Sequence, residues 1–182
     1  MMGYGFGIIG LGTIAAFHAR AIAAMDGGTL VACYSRSAQK AADFCQKHGG
    51  RGYAKLDSFL QHPDLDIVTV CTPSGLHLEP AVAAIEAGKH VIIEKPLEVT
   101  LERCDLIIEK AREKGVVVAG IFQSRYYEAA GLIKQAVEEG RFGKVTLADA
   151  YVKWYRSQEY YDKAEWRGTW QIDGGGALMN QS

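Results

Sequence analysis

Apolar positions along this chain follow two patterns. Short continuous runs at 6–9, 29–34, 67–71, 90–93 and 116–122 suit buried strands, and the stretches between them carry apolar residues at helical spacing. The first run passes through Gly10 and Gly12 into a helical segment with Ile14, Phe17, His18, Ala21, Ile22 and Met25. Ser37 is placed to cap a helix over 38–48, residues 49–52 read as a turn, and 53–54 as a short edge strand. A short helix begins at 57–60 and ends near Pro63. Another has Pro80 in its first turn, runs to Ala87 and stops at Gly88. A further helix, capped by Thr100, covers 101–114 and closes at Gly115. Strands and helices therefore alternate up to residue 122, which predicts an α/β fold: a parallel sheet with helices on both faces and right-handed crossovers.

After Phe122 the pattern changes. Residues 123–128 are polar and aromatic, 132–139 read as a helix with Gly140 behind it, and 145–154 alternate, with Val145, Leu147, Tyr151 and Lys153 on one face. That alternation predicts an antiparallel strand with one solvated or partner-covered face. Residues 1–122 are thus expected to form one domain, and 123–182 the incomplete first part of a second, α+β domain with an antiparallel sheet.

The balance of 20 Lys and Arg against 21 Asp and Glu, a net charge of -1, argues against a broad nucleic-acid surface. No apolar run approaches the ~20 residues that span a bilayer. The opening Met1-Met2-Gly3-Tyr4 shows no basic segment followed by an apolar one, so no signal peptide is expected. Cys33, Cys45, Cys71 and Cys104 are scattered, without a C-x-x-C pair. They read as buried thiols of a reducing compartment, with the cytoplasm as the expected location and no metal site.

A strand, a glycine turn and a helix are the parts of a dinucleotide-binding βα unit. Gly10 lets the chain turn sharply, Gly12 lets a pyrophosphate approach the backbone, and Ala15 is small enough for the helix to pack on the sheet. The helix start offers free N–H groups and the positive end of its dipole. About 20 residues further on, an acidic residue would hold the adenosine ribose, whereas an Arg favours a 2′-phosphate. Ser35 and Arg36 stand there with no acid, which leans towards NADP; the bland alternative is a solvated arginine.

Lys95 is the sharpest chemical candidate. It follows a buried strand and precedes Pro96, where it can bond a reacting oxygen or take a proton from an alcohol; alternatively it is a surface lysine paired to Glu94 or Glu98. His77, after the Thr72-Pro73 turn, either faces the nicotinamide end or bonds local backbone. His18, His48, His62 and His90 show neither metal spacing nor an acid partner and are given no role. Asp173 orients a catalytic group or caps a turn. Trp166, Arg167 and Trp170 line a sugar-binding wall or form core.

Gly10-Leu11-Gly12-Thr13-Ile14-Ala15, Cys71-Thr72-Pro73-Ser74-Gly75-Leu76-His77, Glu94-Lys95-Pro96, Trp166-Arg167-Gly168-Thr169-Trp170 and Gly174-Gly175-Gly176-Ala177-Leu178-Met179-Asn180-Gln181 together resemble the Gfo/Idh/MocA oxidoreductases. That family includes glucose–fructose oxidoreductase, inositol dehydrogenases and nucleotide-sugar dehydrogenases. The resemblance implies a Rossmann domain followed by an open antiparallel sheet domain that carries substrate and homo-oligomer contacts. It implies NAD- or NADP-dependent hydride transfer to or from a secondary alcohol, commonly on a sugar. By the same resemblance Gly10, Gly12, Thr13, Ile14 and Ala15 lie at the pyrophosphate, Ser35 and Arg36 at the adenosine ribose, and Thr72, Pro73, His77 and Glu94 by the nicotinamide half. Lys95 is implied as the catalytic lysine, touching both cofactor and substrate. Gln123, Arg125, Trp166, Arg167 and Asn180 are implied at the substrate pocket. The family's histidine beyond the Asn180 position has no counterpart before Ser182, so this chain is expected to bind dinucleotide but turn over poorly. The alternative class is a non-catalytic dinucleotide-binding regulator or interaction subunit.

Overall fold

A computed structural model describes residues 3–181 and joins six strands into one sheet. The strands are β1 (Tyr4–Ile9), β2 (Gly28–Tyr34), β3 (Arg51–Tyr53), β4 (Ile67–Val70), β5 (His90–Ile93) and β6 (Val118–Gly120). Their order across the sheet is β3-β2-β1-β4-β5-β6, and every neighbouring pair is parallel. The chain winds outward from β1 to β3, then returns to the other side of β1 at β4. The reversal opens a crevice between the carboxyl ends of β1 and β4, the place where open α/β sheets take ligands.

Successive strand residues point to opposite faces. Phe6 and Ile8 of β1 pack with Leu11, Cys33, and the Ala15, Ala19 and Ile22 of helix α1 (Thr13–Ala24). Ile9, Val68, Val70, Val91 and Ile93 face the other way, onto Phe59 of α3 (Leu56–Leu60), Ile85 of α4 (Leu78–Glu86) and Ile107 of α5 (Leu101–Lys114). Thr69, Cys71 and Ile92 are therefore on the α1 side, a parity that decides the site below. Helix α2 (Ala38–His48) shares that side through Ala41. Ser37 and Thr100 cap α2 and α5 by accepting from Lys40 N and Arg103 N, each at 3.3 Å, and Gly115 ends α5 in the left-handed region.

Four expectations are corrected. The face of α1 on the sheet is Ala15, Ala19 and Ile22, while Ile14, Phe17 and Met25 are exposed; a helix lying close on a sheet takes its smallest side chains inward. The short edge strand expected at 53–54 is β3, and it begins earlier, at Arg51, within the expected turn, because Arg51–Tyr53 pairs with Ala32, Cys33 and Tyr34 and Gly52 lets α2 lie against it. Helix α6 starts earlier, at Glu128, and runs to Glu138. Residues 145–157 form neither helix nor strand, and Val145, Leu147, Tyr151 and Trp154 stay exposed. An alternating pattern becomes a strand only when another strand accepts its ladder, and no strand lies beside this one among the described residues, whose sheet is wholly parallel. Two short helices, α7 (Gln158–Asp162) and α8 (Ala177–Asn180), complete the described chain.

Candidate active site

The glycine turn sits at the mouth of the crevice. Gly10 has φ +88°, and a Cβ there would come within 2.7 Å of the Cys71 carbonyl carbon, so both backbone conformation and the approach of β4 demand glycine. Gly12 faces open space, with no atom within 4 Å of where a Cβ would stand. Helix α1 begins there with no side-chain cap and no acidic residue in its first turn. Its orphan N–H groups point into that space, and Ala15 beneath is fully buried against the sheet. An uncapped helix start over an open glycine is a cradle that fits a pyrophosphate. Thr13 and Ile14 are exposed at the same helix start.

At the end of β2, the Ser35 hydroxyl accepts from Ser37 N at 3.2 Å, and Arg36 is exposed with no ion pair among the described residues. A groove of about 230 Å³ runs from Gly12 between α1 and α2, with Lys40, Lys47 and His48 on its α2 wall.

Across the crevice, the turn after β5 carries Glu94, Lys95 and Pro96, and its Lys95–Pro96 bond is cis. Three side chains clamp it. His77 is buried, not turned towards the crevice, and its two ring nitrogens face the carbonyls of Thr72 and Pro96 at 2.9 and 3.0 Å. It thereby ties the turn after β4 to the turn after β5, and Thr72 itself donates to Leu76 O at 2.8 Å. Glu98 is buried and accepts from Leu78 N, Val99 N and Arg103; burial alone would raise its pKa, and these donors hold it below the usual carboxylate range.

The third clamp is His18. Its Nε2 lies 2.9 Å from Glu94 Oε1 and its Nδ1 2.8 Å from Thr69 Oγ1. Glu94 Oε2 accepts from Lys95 N at 3.1 Å, and Thr69 Oγ1 lies 3.3 Å from Cys71 Sγ. Burial opposes charge on His18, but its contacts with Cys71 and Glu94 outweigh burial and raise its pKa to about 10. For Glu94, burial acts upward, and bonding to His18 and the Lys95 amide wins, holding it low. The expectation that His18 lacks an acid partner is thus corrected. The strand parity that puts Thr69 and Glu94 on the α1 side was the available signal; the 76-residue separation hid the pairing.

Lys95 makes no ion pair with Glu94 or Glu98. Its ammonium donates to both the backbone oxygen and the side-chain oxygen of Asn180, each at 2.7 Å. Asn180 reaches it because the glycine-rich segment docks on the loops beside β4 and β5. Gly75 N donates to Ile172 O at 2.7 Å, and Gly174, with φ +88°, lies so close to Val99 that a Cβ would sit 2.7 Å from its Cγ1. Asp173 is buried and holds this segment twice, accepting from Gly168 N at 2.7 Å and from the Asn180 amide. It caps a turn and orients Asn180 at once.

The remaining expected pocket residues do not converge on Lys95. Arg167 is spent within its own segment, donating to Tyr160 O at 2.6 Å with its guanidinium 4.2 Å from the Tyr160 ring centre. Trp166 is half-buried beside it, and Trp170 is exposed. Gln123 and Arg125 are exposed on the single turn Gln123–Tyr126 that follows β6, with Arg125 over the Phe122 ring. All four cysteines are free, and burial raises the Cys33 and Cys45 thiols. Among the described residues no helix is long and apolar enough to cross a membrane.

A family model described as "Oxidoreductase family, NAD-binding Rossmann fold" matches residues 4–122, and one for the GFO/IDH/MocA C-terminal domain matches residues 132–182. The chain is 34% identical to 1,5-anhydro-D-fructose reductase of Ensifer adhaerens over 176 residues, 96% of this chain and 52% of that protein. It is 32% identical to myo-inositol 2-dehydrogenase of Thermotoga maritima over 139 residues, 76% of this chain and 42% of that protein. The WlbA dehydrogenase of Bordetella pertussis, solved with NADH and UDP-GlcNAcA, superposes with a TM-score of 0.90 at 35% identity, covering 99% of this chain and 52% of that one. KijD10, a 3-ketoreductase of Actinomadura kijaniata solved with NADP, gives 0.71 at 29% identity, covering 78% of this chain and 46% of that one. The chain spans about half the length of the curated relatives it matches.

Proposed function

The chain belongs to the Gfo/Idh/MocA oxidoreductase family with the NAD-binding Rossmann fold, and from that premise we propose that the protein moves a hydride between a nicotinamide dinucleotide and a secondary alcohol of a sugar or nucleotide sugar. The observation that carries the reading is the state of Lys95. Its ammonium has three donors; two go to Asn180, none to a carboxylate, and one is left for a reacting oxygen at the carboxyl edge of the sheet. A bound nicotinamide ring supplies the site for the hydride. Lys95 Nζ is the group we place against that reacting oxygen: in the reducing direction the ammonium donates its third proton to the oxygen, and in the oxidising direction the neutral amine takes up the hydroxyl proton. Asn180 fixes the direction of the lysine. Gly10, Gly12 and the start of α1 would hold the pyrophosphate, and the turn at Thr72 and Pro73 would border the nicotinamide half.

NADP is the dinucleotide we favour. Support comes from the missing acid at Ser35 and Arg36, the uncommitted Arg36 side chain, and the Lys40 and Lys47 wall of the nearby groove. A nucleotide sugar is supported by the likeness to WlbA over nearly the whole chain. The same reading divides the chain at 122/123 into a dinucleotide domain and the first part of a substrate domain, a division supported by the loss of buried apolar residues after β6. Self-association of the whole protein would use that second domain, whose Leu147, Tyr151 and Tyr155 are exposed.

The test is Lys95→Ala in the full-length protein, assayed with NAD(P) and UDP-GlcNAcA. Turnover is expected to fall by roughly 10²–10⁴-fold, while NADPH and NADH still bind by fluorescence titration. Turnover retained by the variant would overturn the reading, and tighter binding of NADH than of NADPH would overturn the preference.

A further inference from the structure

We infer that His18 is a positioning residue for Lys95, acting through Glu94 across the floor of the crevice. The inference rests on the proposed role of Lys95.

The contacts form one directed chain over three elements. An imidazolium donates from both nitrogens: Nε2 to Glu94 Oε1 at 2.9 Å and Nδ1 to Thr69 Oγ1 at 2.8 Å. The carboxylate is likewise used at both oxygens, Oε1 by His18 and Oε2 by the Lys95 amide. Thr69 closes the far end against Cys71. The His18 and Glu94 side chains are 13% and 12% exposed, so water does not readily replace either partner.

Removing the Nε2 donor leaves Glu94 Oε1 buried and unpaired, and a carboxylate in that state rotates to recover a donor. The bond it would give up is the one to Lys95 N. Pro96 has no N–H, so the Lys95 amide is the last backbone donor available to fix the turn before the cis bond. His18 also stands in the second turn of α1, whose first turn forms the phosphate cradle. The pair therefore sets the spacing between the cradle and the lysine. The raised pKa of His18 agrees with an imidazolium held at this position.

The test uses amide hydrogen exchange, read by NMR on the 182-residue chain. Two substitutions separate the two arms of the histidine. His18→Gln keeps a donor where Nε2 was, and His18→Asn keeps one where Nδ1 was. Lys95 N is expected to exchange at least ~10-fold faster in His18→Asn and to be restored in His18→Gln. The Val91 amide, bonded to Val117 O in the sheet, serves as the internal control. Equal protection of Lys95 in all three proteins would overturn the inference, as would equal acceleration at Val91, which would mark a general loss of stability. In the full-length enzyme, His18→Asn is expected to lower kcat about 10-fold with the KM for dinucleotide unchanged, again restored by His18→Gln; a change in KM alone would overturn it. Turnover retained by Lys95→Ala would sink the role of Lys95 without altering the exchange result, so the two failures are distinguishable.

Discussion

The chain through β6 and the chain after it are built on different terms. Up to residue 122, apolar residues from both faces of the sheet form two continuous clusters, with Ile8, Phe59, Val68, Ile85 and Ile93 fully enclosed. Beyond it, Ala136 is the one buried apolar residue among those described, while Leu132, Ile133, Phe142, Leu147, Trp154 and Tyr155 are exposed. Yet this second region supplies Asn180, which grips Lys95, and Asp173, which grips Asn180. The first region is held by burial. The second is attached to the site by close backbone approach and hydrogen bonds. A chain segment with little core of its own can still be placed accurately where a few polar contacts and glycines lock it to a rigid neighbour.

Matched truncations should expose this difference most strongly. Phe59→Ala, in a fully enclosed side chain, is expected to cost about 3–5 kcal/mol of stability. Trp154→Ala, at a residue 68% exposed, should cost within about 0.5 kcal/mol. Urea unfolding followed by circular dichroism measures both, and comparable losses would break the contrast.

A smaller effect is expected from pH, and it belongs to the first region alone. His18 has its pKa raised from 6.5 to about 10, so its contribution is full below pH 6.5 and is lost as pH rises through about 10. Glu94 is lowered from 4.5, so its contribution is full above pH 4.5 and is lost as pH falls through its folded value. The pair should therefore stabilise most between pH 4.5 and 6.5. Relative to His18→Asn, the native chain should gain about 1.5–3 kcal/mol at pH 5.5, as hydrogen bonds to charged groups do, and progressively less towards pH 10. Urea midpoints that keep the same gap at pH 5.5 and 9.5 would contradict this.

Gly174→Ala is the mildest probe and sharpens the comparison from the other side. The left-handed backbone and the contact with Val99 should cost about 1–2 kcal/mol, confined to the docked segment. Amide exchange should quicken for Asp173 and Asn180 and stay unchanged for Val91. Acceleration throughout the sheet would show that the two regions unfold together.

The parallel sheet was legible because buried strands and amphipathic helices differ in period, and because Ser37, Thr100 and Gly115 mark helix ends through bonds made within a few residues. The glycine turn was legible for the same reason: its demands are local. The 145–154 segment was misread because alternation describes a face and does not supply the neighbouring strand that would make it a ladder. Among candidate residues, Lys95 and Asn180 were each singled out, but not their contact, and Asp173 was left between two roles that it performs together. His18 was set aside although it has a carboxylate partner.

Local periods, caps and turn chemistry, all written within a few residues, determined by themselves the alternating strands and helices and the open start of α1. Only the tertiary structure decided which distant groups meet: His18 with Glu94, His77 with two carbonyls, and Lys95 with Asn180 across 85 positions. The physical reason is that strand parity and sheet order select the facing partners, and those depend on the whole winding of the chain rather than on any stretch of it.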